Sequence, residues 1–239
     1  MARDVIVALD FPDKAETLRF LDRFAGFNEE LPYVKVGMEL FYAEGPDIVR
    51  EIAARGYRIF LDLKVSDIPN TARGALESLS KLPIDIVNVH ALGGLDMMRT
   101  VVEGLNSSGG KRPLLIGVTI LTSIDQRRLN EELGIGGSIE DSAARLAKLA
   151  KDAGLDGVVC APLEARRIHE ACGESFLTVT PGIRFAEADK GDQQRAVPPD
   201  EARRLGSDYI VVGRPITRAA DPVAAYRRYS DAFCKEVLS

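Results

Sequence analysis

The 239-residue chain is 46% apolar and 28% charged, which excludes a disordered or fibrous protein and leaves length for one large core. Thirty-one Lys and Arg against 36 Asp and Glu give a formal charge of −5; this argues against a general nucleic-acid surface, though not against one anion held in a locally basic pocket. Cys160, Cys172 and Cys234 are too few and scattered for a disulfide framework or a CxxC metal site, no apolar run approaches the roughly 20 residues of a bilayer span, and no secretory pattern precedes Val5, so a soluble protein of a reducing, cytoplasmic compartment is expected.

Short apolar, β-branched runs recur along the chain. They are Val5–Leu9, Tyr33–Gly37, Ile59–Leu63, Ile84–Val89, Leu114–Leu121, Gly157–Cys160, Leu177–Thr180 and Tyr209–Val212. Several are continuously hydrophobic, as parallel strands buried on both faces must be. Helical patterns lie between them. Pro46, Pro199 and Pro222 each sit near a first helical turn. Ser138 with Asp141 reads as a cap, Ala143, Leu146, Ala147, Ala150 and Ala153 as one apolar face, and Gly154 as a stop. Eight β-then-α units in this length predict a (β/α)8 TIM barrel, with residues 1–239 as a single catalytic domain. A doubly wound open sheet is the alternative. It normally carries a glycine-rich turn after the first strand, where this chain has Asp10-Phe11-Pro12-Asp13. Two connections are long, 122–137 and 182–197, and long loops in compact domains tend to be functional.

In a barrel, polar residues at the C-terminal ends of strands read as catalytic. Here they are Asp10, Lys35, Asp62, Lys64, Asp67, Asn88, His90, Thr122, Ser123, Arg184 and Arg214. Asp62 and Lys64 are two apart on a strand, so they are expected on the same face with Cα atoms about 6.6 Å apart. Asp67 is three residues further on and within range of the same Lys. A lysine flanked by carboxylates keeps its proton, which makes it a poor Schiff-base nucleophile and a well-placed proton donor. A structural ion pair at the rim is the plainer alternative. The pattern suits a reaction in which negative charge leaves, or becomes a carbanion that Lys64 protonates.

Pro181-Gly182-Ile183-Arg184 follows the seventh strand and Gly213-Arg214-Pro215 the eighth, the positions where this fold usually binds phosphate. Gln193 lies in the long seventh loop, where it is either a lid residue or merely solvated. His90 is either a catalytic base or a hydrogen-bonded structural residue. His169 falls in a helical pattern and is expected on the surface. Two distant histidines with no clustered carboxylates make no metal site, and none is expected.

Val7-Ala-Leu-Asp10-Phe, Val34-Lys35-Val-Gly37, Asp62-Leu-Lys64-Val-Ser-Asp67-Ile-Pro-Asn-Thr71, Pro181-Gly-Ile-Arg184, Asp192-Gln193-Gln-Arg195 and Val212-Gly-Arg214-Pro-Ile216 follow in the order found in the orotidine 5′-phosphate decarboxylases, which the chain resembles over nearly its whole length. Asp62-x-Lys64-x-x-Asp67 alone would also fit related sugar-phosphate enzymes, and Ile68-Pro69-Asn70-Thr71 narrows the resemblance. The resemblance implies decarboxylation of orotidine 5′-monophosphate to uridine 5′-monophosphate, with no cofactor or metal, in a homodimer. It makes Lys35, Asp62, Lys64 and Asp67 a charged catalytic network in which Lys64 protonates C6, and it sends Asp67 and Thr71 to the neighbouring subunit's site. Asp10 and Lys35 would hold ribose hydroxyls, and Thr122 and Pro181 would lie by the pyrimidine. Arg184, Gly213 and Arg214 would hold the phosphate, and Gln193 would bridge phosphate and base. The family's lid often reads Asp-Asp-Gln; here it reads Gly191-Asp192-Gln193, and the neighbouring Gln194 leaves two candidates for the glutamine.

Overall fold

The structure is a computed structural model that describes residues 3–27, 29–107, 109, 111–185 and 196–235. Eight parallel strands close into a barrel in sequence order: β1 (Asp4–Ala8), β2 (Tyr33–Gly37), β3 (Ile59–Val65), β4 (Ile86–His90), β5 (Leu114–Val118), β6 (Gly157–Val159), β7 (Leu177–Thr180) and β8 (Tyr209–Val212), with β8 pairing back onto β1. The connecting helices are α1 (Lys14–Asp22), α2 (Met38–Glu44), α3 (Pro46–Ala54), α4 (Pro69–Leu79), α5 (Gly94–Ser107), α6 (Ile139–Ala153), α7 (Pro162–Cys172), α8 (Pro199–Arg204), α9 (Arg214–Thr217) and α10 (Pro222–Cys234). The expected barrel is thus the observed one. Among the described residues no helix is long and apolar enough to cross a membrane.

Alternation along the strands sorts the apolar residues into two cores. Ile6, Ala8, Tyr33, Phe60, Ile86, Ile116, Val179 and Val211 point inward and fill the barrel. Their neighbours, such as Val5, Val7, Val34, Val36, Ile59, Leu61 and Val87, point outward against the helices. Because the strands are buried on both faces, they read as continuous hydrophobic runs. Toward the C-terminal ends the inward positions turn polar, with Lys35, Asp62 and Asn88 all buried.

Local signals set the helices. Proline at the first position starts α3, α4, α7, α8 and α10, where its missing N–H is no loss. Ser138 caps α6 by accepting from Asp141 N at 3.0 Å, and Gly154, at φ 91°, ends it in the left-handed region. The N-terminal face of the barrel carries a regular device. The aspartate just before β4, β6 and β8 accepts a backbone N–H from the preceding strand: Asp85 from Ile59 (3.0 Å), Asp156 from Leu115 (2.7 Å) and Asp208 from Thr178 (2.8 Å).

Three expectations change. His169 is buried, because its face of α7 packs on the turn before β8, where its Nε2 lies 2.9 Å from Gly206 O. The fifth strand stops at Val118, and Ile120 and Leu121 leave the ladder to line a cavity instead of extending it. The long fifth loop is partly folded, with a π-type turn at Arg128–Glu132.

Candidate active site

Four charged side chains form a chain of contacts across the mouth of the barrel. Lys35 Nζ, from the middle of β2, lies 2.9 Å from Asp10 Oδ1 and 3.4 Å from Asp62 Oδ2. Lys64 Nζ lies 2.7 Å from Asp62 Oδ1. Asp10 follows the end of β1 and is the exposed end of the series. Asp62 therefore stands between two ammonium groups, and each of its oxygens faces one of them.

Burial on its own pushes the Asp62 carboxyl up, but Lys35 and Lys64 more than reverse this and hold it below the ordinary carboxylate range. Burial on its own pulls the Lys35 ammonium down, and Asp62 and Asp10 more than reverse that, leaving it above the ordinary lysine value. The buried pair Asp62 and Lys35 is thus held ionised at neutral pH, carboxylate against ammonium. Burial, and then the Lys64 charge, lower the His90 imidazole below its ordinary value, so His90 is neutral at pH 7.

Asp62 and Lys64 do meet, though not through the simple alternation expected of them. Leu61 pairs with Val87 and Val65 with Val89, so four steps along β3 match two along β4. The surplus forms a bulge, and within it Lys64 adopts φ 52°, the one positive φ outside glycine among the described residues. Asn88 lies opposite. Its Oδ1 accepts from Lys64 N and its Nδ2 donates to Asp62 Oδ1, both at 2.7 Å. Asn88 stood among the polar strand-end residues of the sequence but carried no role there. The available signal was an amide inside the buried run Ile86-Val87-Asn88-Val89, because a buried amide needs partners.

Three spaces adjoin this network. A cavity of about 270 Å³ is lined by Lys35, Asp62, Lys64, Thr122 and Pro181, and otherwise largely by apolar side chains including Val118, Ile120 and Val159. A second, of about 190 Å³, is lined by Asp10, Lys35, Pro181, Gly182, Arg184, Gly213 and Arg214. The two share Lys35, Pro181 and Val211 as a common wall. The first suits a flat, weakly polar ring beside a proton donor, and the second suits an anion. Arg184 is fixed there by its own N–H, which donates to Val197 O at 3.0 Å. Gly182, at φ 83°, makes the turn that brings the arginine round. On the other side of Lys64 an open groove is lined by Met38, Tyr42, Lys64, Asp67 and Thr71.

Asp67 is not brought to Lys64 within the chain. It is exposed and accepts the N–H of Ile68 at 2.7 Å, and Thr71 is exposed beside it on α4. The turn into Pro69 carries both side chains outward instead of back over the barrel. Gln193 and Gln194 lie outside the described residues. Among those described, no three His, Cys, Asp or Glu side chains gather as a metal site.

Comparison with known proteins agrees with this geometry. A family model described as "Orotidine 5'-phosphate decarboxylase / HUMPS family" matches residues 3–229. Orotidine 5′-phosphate decarboxylase of Bacillus cereus (strain G9842) is 53% identical over 230 residues, covering 95% of each chain. The corresponding protein of Bacillus cytotoxicus is 52% identical over the same share. A crystal structure of orotidine 5′-phosphate decarboxylase from Lactobacillus acidophilus superposes with a TM-score of 0.85 at 42% identity, over 98% of this chain and 100% of that one. A conserved protein of Geobacillus kaustophilus superposes with a TM-score of 0.84 at 48% identity, over 96% and 99%.

Proposed function

Because the chain belongs to the orotidine 5′-phosphate decarboxylase / HUMPS family, we propose that it decarboxylates orotidine 5′-monophosphate to uridine 5′-monophosphate, with Lys64 as proton donor and without a cofactor. The observation that carries this is the Lys64 ammonium held 2.7 Å from Asp62 on the wall of a largely apolar cavity that adjoins a cationic one.

The phosphate enters the cationic cavity, where Arg184 and Arg214 supply charge-assisted hydrogen bonds and Gly182 and Gly213 let the backbone approach. Ribose hydroxyls reach Lys35 at the common wall and Asp10 in the second cavity beside it. The pyrimidine lies in the first cavity beside Thr122 and Pro181, with its C6 carboxylate toward Asp62 and Lys64. The bond from C6 to the carboxylate carbon breaks, carbon dioxide leaves, and the electron pair stays on C6. Lys64 then passes a proton to C6, and its neutral amine regains one from solvent. Asp62 keeps Lys64 in place and favours departure of the negative charge. Phosphate contacts remote from C6 supply binding energy for ordering the reacting end.

The enzyme works as a homodimer in this reading, with Asp67 and Thr71 completing the neighbouring subunit's site. What supports it is the groove beside Lys64, where Asp67 and Thr71 face outward among the exposed apolar side chains of Met38 and Tyr42, with Ile68 exposed next to them.

The test is a spectrophotometric assay with orotidine 5′-monophosphate, with and without a strong chelator. Loss of the orotate chromophore at the same rate in both is expected. Absence of turnover, or turnover that the chelator stops, would refute the reading.

A further inference from the structure

We propose that Asn88 is a positioning residue for the reaction, holding Lys64 in the left-handed backbone conformation that lays its ammonium on Asp62. This rests on the assignment of Lys64 as proton donor.

The inference starts from an imbalance in the sheet. Between the Leu61–Val87 and Val65–Val89 pairs, β3 has three residues where β4 has one, and that one is Asn88. The bulge takes the Lys64 N–H out of the regular ladder. A residue with a Cβ at φ 52° persists only where its surroundings hold it. Asn88 is fully buried and supplies the missing acceptor, with its Oδ1 2.7 Å from Lys64 N. Its other end donates to Asp62 Oδ1 at the same distance, the oxygen that also receives Lys64 Nζ.

The two partners fix which way the amide points. Lys64 offers a backbone donor and Asp62 an ionised acceptor, so only one orientation serves both. They also define the residue type. A carboxylate at this position would place a second anion against Asp62 and give it no donor. An apolar side chain would leave the Lys64 N–H without its acceptor and Asp62 Oδ1 with Lys64 Nζ as its remaining donor. One side chain thus ties the backbone of the proposed proton donor to the side chain of its counter-ion, and is itself part of the lining of neither the first nor the second cavity.

The experiment compares Asn88→Ala and Asn88→Ser with wild type for kcat, KM, calorimetric Kd for uridine 5′-monophosphate, and thermal midpoint. In Asn88→Ala kcat is expected to fall about 100-fold, the scale of an ångström-sized displacement of a reacting group. KM and the product Kd should stay within about threefold, because the phosphate and ribose contacts are untouched. Asn88→Ser, whose hydroxyl can serve one partner, should fall between. A kcat within about threefold of wild type in Asn88→Ala would overturn the proposal, as would parallel losses in kcat, KM and product affinity. If Asn88→Ala does not fold, Asn88→Ser is judged by the same split between kcat and binding. Lys64→Ala separates the two layers. If it turns over normally, the proton-donor reading and the positioning role both fail. If it is inactive while Asn88→Ala is fully active, only the positioning role fails.

Discussion

A Cβ on Gly37 would lie 3.0 Å from Lys35 Nζ and 3.2 Å from Asp10 Oδ1, so the last residue of β2 is bare where the lysine two positions earlier folds across it. Gly37 has extended dihedrals, and alanine there is free of backbone strain. The methyl group would press on the Lys35 ammonium and on the Asp10 carboxylate that it bonds. Gly37→Ala is expected to displace the ammonium and lose one charge-assisted hydrogen bond, about 1.5 kcal/mol or about tenfold in KM. The thermal midpoint should hardly move. Kinetics and a melting curve on the same sample check both; an unchanged KM would mean that Lys35 does not reach the ligand.

Arg214→Ala removes a guanidinium from the second cavity while leaving the network around Asp62 in place. The expected loss in kcat/KM for orotidine 5′-monophosphate is about 2 kcal/mol or more, as for hydrogen bonds to a charged group. The control is orotidine, which lacks the phosphate. Its slow turnover should be the same in wild type and variant, and an equal loss on both substrates would take the phosphate away from this cavity.

Since Asp67 is exposed and bonds the N–H of Ile68 instead of its own Lys64, subunit mixing gives a sharp test. Lys64→Ala and Asp67→Ala are each expected to be inactive. Refolded together, they form mixed dimers in which one site has both defects and the other has neither. Activity should return to about a quarter of wild type by random pairing of symmetric protomers. A site completed within one chain would give no recovery on mixing.

The pKa shifts predict how stability responds to acid. Asp62 lies below its ordinary value in the folded state, so its contribution is present above the unfolded carboxylate pKa and is lost as pH falls through the folded one. Lys35 lies above its ordinary value, so its contribution is intact at neutral pH and is lost only as pH rises through its folded pKa. At neutral pH Asp62→Asn takes the carboxylate away from Lys64 and leaves Lys35 with Asp10 alone, and should lower the urea midpoint. The gap from wild type should narrow below about pH 4, where the carboxylate of the unfolded chain begins to take up its proton while the folded one stays ionised. A gap that stays constant from pH 7 to pH 3 would contradict the ion-pair account.

Much of this arrangement was legible in the amino-acid order. Strands buried on both faces leave continuous runs such as Val5-Ile-Val-Ala-Leu9, and charges standing beside such runs mark the mouth of a barrel, because burying them unpaired is costly. Lys35, Asp62 and Lys64 were found this way, as were the two arginines. The bulge at Lys64 was not, because it depends on a count of residues across two strands. Asn88 passed without a role for the same reason, since its partners lie 24 and 26 residues away. His169 was misplaced because a helical pattern shows which residues share a face, and says nothing of what a neighbouring turn lays over it.

The aspartates Asp85, Asp156 and Asp208 bear on a different question, the alignment of one strand with the next. A strand can slide by one residue against its neighbour and still form a full ladder, but every side chain then changes sides. In this barrel such a slip of β5 would carry Leu115 N–H away from Asp156 and turn Ile116 out of the interior. Each carboxylate thus works as a stop that recognises a single alignment. Because the stops lie at one end and the ligand-facing charges at the other, loops at the mouth can change in length without loosening what sets the strands in step.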